Sequence, residues 1–379
     1  MRTLMAAGGT GGHIFPALAV AEELRRRSGL QSRNIQRDNH AVPLERRSTL
    51  QDDCVIEFLG TGRGLEARLI PASGFPLHIV PAAGLKGMPG RKLARGLLVL
   101  PRTFLETSRV LHQVQPDVVL GMGGYLAGPV MLQAALQDIP TLLVEPNALP
   151  GFTNRLLAPV VRVAAVGFEQ AAEFYGTKAR VTGHAVRQAF FGIPPKLHEP
   201  PFTLLIVGGS QGSAAINRCL CESLPLFAGE AKRLRLIHQT GERDYNVVCE
   251  AYRERGLPAQ VYPFIENMPE MFARADLVIS RSGAAAVAEL AAAGKASILI
   301  PFPVAADHHQ LANAQAMVDA GAARLVVQEE LTPERLTTEF RQLLENPERL
   351  AAMEQQARQL AHPNAAAHIA ELLEELARS

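Results

Sequence analysis

One stretch constrains this chain more than any other: Met5-Ala6-Ala7-Gly8-Gly9-Thr10-Gly11-Gly12-His13-Ile14-Phe15-Pro16. A short apolar run reads as a strand, the glycines as a turn, and the amphipathic segment Pro16–Arg27 as a helix. A strand, a glycine turn and a helix N-terminus together form an anion site, because free backbone N–H groups converge there and the helix dipole favours negative charge. The same order recurs twice. Val118-Val119-Leu120 runs into Gly121-Met122-Gly123-Gly124-Tyr125, and Phe202–Val207 runs into Gly208-Gly209-Ser210-Gln211-Gly212-Ser213.

The spelling of these turns excludes two common nucleotide sites. A GxGxxG dinucleotide fingerprint needs glycine where Ile14 and Leu126 stand, and a P-loop beginning at Gly8 needs glycine where His13 stands. The capacity to hold a diphosphate survives, since it comes from backbone geometry and not from one spelling.

Strand and helix signals alternate along the chain, which predicts parallel sheets covered on both faces. Strands are expected at Val55–Leu59, Leu77–Pro81, Val118–Leu120 and Thr141–Glu145, with helices at Leu65–Ala72, Leu93–Val114 and Gly128–Leu136. Residues 192–201 hold four prolines and read as a semi-rigid linker. The alternation then restarts, with strands at Phe202–Val207, Leu234–His238, Gln260–Tyr262, Leu277–Ser280, Ala296–Ile300 and Arg324–Val327. A helical end runs from Pro333 to Arg378, interrupted near Pro363. A length of 379 residues also favours two domains. The expectation is an α/β protein with two Rossmann-like domains, their parallel sheets facing across a cleft. The boundaries are 1–186 and 187–363, with a helix at 364–379 packing back on the first domain. Ser28–Asp53, polar and without period, reads as an insertion.

A net charge of +1 gives no global field for nucleic acid or membrane. Cys54, Cys219, Cys221 and Cys249 form no CxxC and read as free cytosolic thiols. The apolar run Leu4–Ala7 is too short for a signal peptide, and Gly283–Ala306 carries Glu289, Lys295 and prolines, so it is not a membrane span. A cytoplasmic protein is expected.

Several residues offer chemistry, each beside a plainer reading. His13, at the mouth of the first turn, suits a general base near neutral pH, or caps and packs its helix. Glu145 and Asn147 follow a buried-type strand and project into the cleft, or serve as ordinary loop polarity. Glu289 stands alone among alanines after Ser280-Arg281-Ser282-Gly283, where a carboxylate suits a ribose diol, or forms a solvated helix face. Asp307-His308-His309-Gln310 has metal-ligand types but no partner cluster; Gln310 and Asn313, three apart on one helical face, suit hydrogen bonds to a sugar. The basic, leucine-rich segment carrying Lys86, Arg91, Lys92 and Arg95 suits an anionic membrane surface, or packs on its own sheet.

Taken in order, the three glycine turns and Ser280-Arg281-Ser282-Gly283 resemble the MurG family of peptidoglycan N-acetylglucosaminyltransferases, over nearly the whole chain. The resemblance implies a GT-B fold and the inverting transfer of GlcNAc from UDP-GlcNAc to the C4 hydroxyl of MurNAc in undecaprenyl-diphosphate-MurNAc-pentapeptide (lipid I), giving lipid II. It implies a peripheral place on the cytoplasmic face of the inner membrane, and no cofactor or metal. The first domain would take the lipid acceptor and the second the sugar nucleotide. By the same resemblance Thr10, Gly11 and Gly12 reach the transfer site, and His13 and Tyr125 are acceptor-side catalytic groups. Glu145, the alternative base, and Asn147 flank the transferred sugar. Arg187 and Ser210 meet the diphosphate, and the backbone of Ile265 meets uracil. Ala284, Ala285, Ala286, Val287 and Ala288 line the nucleotide, Glu289 takes the ribose, and Gln310 and Asn313 contact GlcNAc hydroxyls. Departures are Pro146, where the family has Gln, and His184-Ala185, where it has Asn-Pro. The rival readings are another GT-B glycosyltransferase, a UDP-sugar epimerase, and a non-enzymatic sugar-nucleotide sensor.

Overall fold

The computed structural model describes residues 1–8, 11–29, 54–62, 64–81, 90–230, 232–303 and 308–379. Thr10, Asp307, Lys86, the Gly84–Met88 loop and nearly all of the Ser28–Asp53 segment lie outside them.

The first part of the chain builds β1 (Arg2–Ala6), α1 (Gly11–Arg27), β2 (Val55–Gly60), α2 (Glu66–Ala72), β3 (Leu77–Ile79) and α3 (Gly90–Val114). It continues through β4 (Val118–Gly121), α4 (Gly124–Leu136), β5 (Thr141–Glu145), α5 (Phe152–Leu157), β6 (Val163–Val166), α6 (Glu169–Tyr175) and β7 (Ala179–Val181). These strands form a seven-stranded sheet in the order β3-β2-β1-β4-β5-β6-β7, paired in parallel. Leu4, Met5 and Ala6 are all fully buried, the unbroken apolar run of a strand covered on both faces.

The second part builds α7 (Gln188–Phe191), β8 (Phe202–Val207), α8 (Ala214–Ser223), β9 (Leu234–Gln239), α9 (Tyr245–Arg255), β10 (Ala259–Tyr262) and α10 (Met268–Arg274). Then follow β11 (Leu277–Ser280), α11 (Ala284–Ala293), β12 (Ser297–Leu299), α12 (His309–Asp319), β13 (Ala323–Leu325), α13 (Pro333–Leu344), α14 (Pro347–Gln359) and α15 (Ala365–Arg378). Its six-stranded sheet has the order β10-β9-β8-β11-β12-β13, again parallel.

Two compact units result. Unit 1 comprises 1–146, 150–185 and 364–379; unit 2 comprises 147–149 and 186–363. In unit 1, α15 packs along α1. Ile369, Ala370 and Leu373 join the core around Ile14 and Ala17, while Arg27 pairs with Glu371 at 2.6 Å and Glu374 at 3.7 Å. Complete burial of Ile369 and Leu373 contributes about 2 kcal/mol each.

The structure corrects several expected boundaries. α1 begins at Gly11 and not Pro16, and α4 at Gly124 and not Gly128, so Gly11, Gly12, His13 and Tyr125 lie in first helical turns. Glycine's poor helix propensity argued for free loop, but at a helix start the tertiary environment decides. The C-terminal helical stretch also breaks at Glu345-Asn346, where Asn346 caps α14 by accepting from the Arg349 amide.

Unit 2 is tied at the N-terminal edge of its sheet by an ionic cluster. From the proline-rich linker, Lys196 and His198 both reach Asp276, which is fully buried just before β11; His198 Nδ1 lies 3.0 Å from Oδ1. His198 Nε2 is 3.4 Å from Glu354 of α14, which also meets the fully buried Lys295 at 3.4 Å. Burial pushes the Asp276 carboxyl up, but hydrogen bonds from His198, Lys196 and the Thr203 amide outweigh it and leave it below its ordinary value. Its hydrogen bond to Asp276, and then the nearby Glu354 carboxylate, raises His198 to about 9 against the opposing effect of burial. His198 therefore stabilises the fold fully below pH 6.5, and this contribution is lost as pH rises through 9. Urea unfolding at pH 6.5 and 9.5 should show a loss of about 2–3 kcal/mol from this residue. His198→Gln should be less stable at pH 6.5 and lack that part of the pH dependence.

Candidate active site

The six strands of the second sheet follow the same order as the first six of the first sheet, and the order in which strands are added reverses between β1 and β4 and between β8 and β11. At such a reversal the loops leave to opposite sides and open a crevice beyond the carboxyl ends of the strands. The sequence motifs fall on these two places. Gly8–Gly12 follows β1, and Gly121–Tyr125 closes β4; Gly208–Ser213 follows β8, and Arg281–Gly283 follows β11.

In unit 1, His13 sits in the first turn of α1 with its ring against α4. Gly124 has φ +74°, and a Cβ there would stand 3.1 Å from His13 Cε1. Only glycine allows both that backbone and that approach. Tyr125, next along α4, is 38% exposed. Glu145 ends β5 and is fully buried; its Oε2 accepts from the Gly151 amide at 2.9 Å and from Asn154 Nδ2 at 2.8 Å. It thus ties down the start of α5, whose Asn154 also donates to the Val144 carbonyl and lies against Gly123. Glu66, fully buried on α2, accepts from Thr61 at 2.6 Å and packs beneath Gly8.

In unit 2, the turn Gly208–Ser213 is locked to the loop after β9. Gly212 has φ +74°, and a Cβ there would meet the Thr240 carbonyl oxygen at 1.7 Å. Asn217 of α8 holds that loop by donating to the Thr240 carbonyl and to Asp244. Its Oδ1 lies 3.0 Å from His238 Nε2, and His238 Nδ1 lies 3.0 Å from the Tyr252 hydroxyl. Burial pushes His238 down to about 3, so the ring is neutral, with Nε2 donating to Asn217 and Nδ1 accepting from Tyr252. Gln239 bridges onward, donating to the Gly209 carbonyl and accepting from the Ile265 amide, both at 2.8 Å. The Ile265 N–H is thereby taken up within the protein.

The electrostatics of this turn favour an anion. Ser213 caps α8 and also meets Arg281 at 2.7 Å. Arg281 is 9% exposed and hydrogen-bonds to the carbonyls of Ile300 and Pro301 and to Gln328. Burial lowers it to about 10, still charged at neutral pH, and all these partners are neutral oxygens. Ser210 is exposed at the same turn. Beside it, Gly283 opens α11, whose first turns carry the small side chains Ala284, Ala285, Ala286, Val287 and Ala288. Arg187, at the start of α7, stands 3.6 Å from Glu289 of α11. Burial pushes Glu289 up to about 7, with Arg187 acting in the opposite direction.

Gln310 and Asn313 share α12, as expected, but protein groups engage both. Gln310 Oε1 accepts from the Phe302 amide. Asn313, fully buried, accepts from the Ala148 amide at 2.9 Å and donates to Asn147 Oδ1 and the Ser282 carbonyl. Both of its N–H groups are spent, so a sugar hydroxyl is left one lone pair on Oδ1. Asn147 belongs by these bonds to unit 2, whereas Glu145 belongs to unit 1.

Gln239, Asn217, His238 and Glu66 lie outside the sequence motifs, and Arg281, inside one, has no role legible from sequence alone. The signal that Gln239 offers is its place at the last position of β9, one strand from the reversal. Among the described residues, no three His, Cys, Asp or Glu side chains come together as a metal site, and no helix is long and apolar enough to cross a membrane.

The glycosyltransferase family 28 N-terminal domain matches residues 3–32 and 47–166, and its C-terminal domain matches 203–369. A relative from Myxococcus xanthus is 41% identical over 99% of this chain and 93% of its own length; one from Solibacter usitatus is 43% identical over 99% and 96%. Both are named UDP-N-acetylglucosamine--N-acetylmuramyl-(pentapeptide) pyrophosphoryl-undecaprenol N-acetylglucosamine transferase. The crystal structure of MurG from Acinetobacter baumannii is similar with a TM-score of 0.74 and 33% identity, covering 99% of this chain and 100% of that one.

Proposed function

Because this chain belongs to glycosyltransferase family 28 and has the GT-B fold, we propose that it moves GlcNAc from UDP-GlcNAc to the C4 hydroxyl of MurNAc in lipid I, with inversion. The observation that carries this reading is the division of chemistry between the two strand reversals. Unit 1 presents an imidazole and a phenol at its glycine turns; unit 2 presents two helix N-termini, a buried guanidinium and the Arg187–Glu289 pair. The first suits a hydroxyl that must lose a proton, the second a leaving nucleoside diphosphate.

Unit 2 takes the nucleotide. The diphosphate lies at the Gly208–Ser213 turn against Ser210 and Arg187, with Arg281 adding positive potential from beneath. Glu289 accepts from the ribose diol, and the small residues Ala284–Ala288 let the nucleotide approach α11. Gln239 fixes the segment at Ile265 where uracil binds. Asn313 holds Asn147 and Ala148 beside the transferred sugar, and Gln310 acts from the same helix.

Unit 1 takes the acceptor at Thr10, Gly11 and Gly12, with Tyr125 beside it. His13 takes the hydroxyl proton as the acceptor oxygen attacks the anomeric carbon, and UDP leaves from the opposite face carrying the bonding electron pair. Glu145 is the weaker choice of base, because its Oε2 already holds Gly151 and Asn154. No step requires a metal ion or cofactor, and nucleic acid is not a partner.

Incubation with UDP-GlcNAc and a lipid I analogue should give the disaccharide-linked lipid. Isomerised UDP-sugar formed without acceptor would support the epimerase reading, and binding without turnover a sensor. His13→Ala should lower kcat about 10²–10⁴-fold; near wild-type turnover would return the role to Glu145.

The pKa of Glu289 near 7 has its own consequence. The ribose diol donates to the ionised carboxylate, so UDP affinity should fall as pH drops, by roughly tenfold between pH 8 and 6. Calorimetry should show this dependence vanish in Glu289→Gln, together with a weaker overall affinity.

The acceptor's lipid places the working enzyme on the cytoplasmic face of the inner membrane, as a peripheral protein. Lys86, Arg91, Lys92 and Arg95 support this, as do the exposed side chains of Leu105 on α3 and Leu136 on the adjoining α4. Co-sedimentation with anionic vesicles should drop when the four cations are reversed; unchanged binding would leave these cations no part in it.

A further inference from the structure

Unit 2 holds a cavity of about 460 Å³ between the end of α12, β13, α13 and α14. β13 is the edge strand of its sheet, and Val318, Gly321 and Ala323 place the cavity at the amino end of that strand. The nucleotide crevice lies beyond the carboxyl ends of the strands, so the two are separate places. Three guanidiniums line the cavity, those of Arg324, Arg335 and Arg349, with one carboxylate, Glu339. Leu325 and the buried Met353 add apolar wall.

Two of these cations stand where helix physics disfavours them. Thr332-Pro333-Glu334-Arg335-Leu336 opens α13, and Asn346-Pro347-Glu348-Arg349-Leu350 opens α14 with the same pattern. Thr332 accepts from the Arg335 amide at 3.2 Å and Asn346 from the Arg349 amide at 3.0 Å, so each arginine is the third residue of its helix. That position favours Glu or Gln, whose side chain reaches back to the cap, and the positive end of the helix dipole repels a cation. Both departures from the preference line the same cavity.

One carboxylate does not balance them. Glu339, its side chain 9% exposed, meets Arg335 at 2.9 Å and Arg324 at 3.3 Å. The second contact lacks hydrogen-bond geometry, and Glu339 Oε2 and Arg324 Nε are both buried without a hydrogen-bond partner. The Arg349 guanidinium has no ion-pair or hydrogen-bond partner among the described residues. Three guanidiniums against one carboxylate leave two positive charges uncancelled among the lining residues. A phosphate monoester carries nearly two negative charges at neutral pH, and guanidinium forks match its oxygens bidentately. The volume exceeds what a bare phosphate needs and falls in the range of small-molecule sites.

We propose that this cavity binds a phosphate-bearing small molecule, its anionic group held by Arg324, Arg335 and Arg349 and its body against Leu325 and Met353. Glu339 holds two of the arginines in place and cancels part of their charge. None of these residues belongs to the transfer site, so the proposal stands apart from the transfer reaction.

The test is methyl NMR of the full chain carrying isotope-labelled methionine, with the Met353 signal identified from Met353→Leu. Inorganic pyrophosphate is the probe, added with UDP at saturation so that the nucleotide site stays filled. The Met353 signal should shift saturably, with half-saturation at about 1 mM or lower. Sodium chloride at matched ionic strength should leave it in place. Arg335→Gln and Arg349→Gln should each weaken pyrophosphate binding roughly tenfold with UDP affinity unchanged. Arg335→Gln also releases Glu339, so Arg349→Gln, which breaks no bond within the protein, is the deciding variant. A Met353 signal that does not move saturably, one that sodium chloride moves equally, or unchanged pyrophosphate affinity in Arg349→Gln overturns the proposal.

Discussion

Strand register at the two reversals is the constraint on which the rest depends. Ala6 pairs with Gly121, and Val207 with Ser280, so in each sheet the neighbouring strands end at the same height. The loops that follow these strands therefore start side by side in each unit. A slip of one residue would turn every side chain to the other face of the sheet, and with both faces covered the core forbids it. Glycine supplies the close approach, but register decides what is approached.

The same strand order carries different side chains in the two units. In unit 2 the helix starts at α8 and α11 and the guanidinium of Arg281 converge where β8 and β11 end. Arg281 is tolerated there because neutral oxygens satisfy its donors and leave its charge to act on a ligand. Unit 1 places His13 of α1 beside Gly124 at the corresponding point, and keeps Glu145 engaged with the start of α5. A shared strand order thus carries an imidazole in one unit and a buried guanidinium in the other, because fold and local chemistry are set by different residues.

Much of this fold is legible in the sequence. Strands such as Thr141–Glu145, Phe202–Val207 and Leu277–Ser280 stand where their apolar runs and flanking turns put them. β6 and β7 did not show, because four- and three-residue strands carry too little periodicity to stand out from buried loop. The helix starts at Gly11 and Gly124 were hidden by glycine itself, whose poor helix propensity masks a turn fixed by packing. Polar support was the least visible layer. Gln239, Asn217 and His238 read as ordinary strand and helix residues, and only the fold shows that they fasten the Gly212 turn from behind. Type and position make Asn313 a candidate sugar ligand, and its amide also holds Asn147 and Ala148.

The return of α15 to unit 1 has a consequence for how the protein comes into being. Ile369, Ala370 and Leu373 fill the core beside Ile14 and Ala17, so the sheet of unit 1 is sealed by residues that are synthesised only after the whole of unit 2. Unit 2, almost wholly contained between residues 186 and 363, has its core in hand earlier. On the ribosome the usual amino-to-carboxyl order of domain completion is therefore reversed. Until α15 docks, the nascent chain carries an uncovered apolar stripe on α1, and a chaperone has a defined interval in which to shield it.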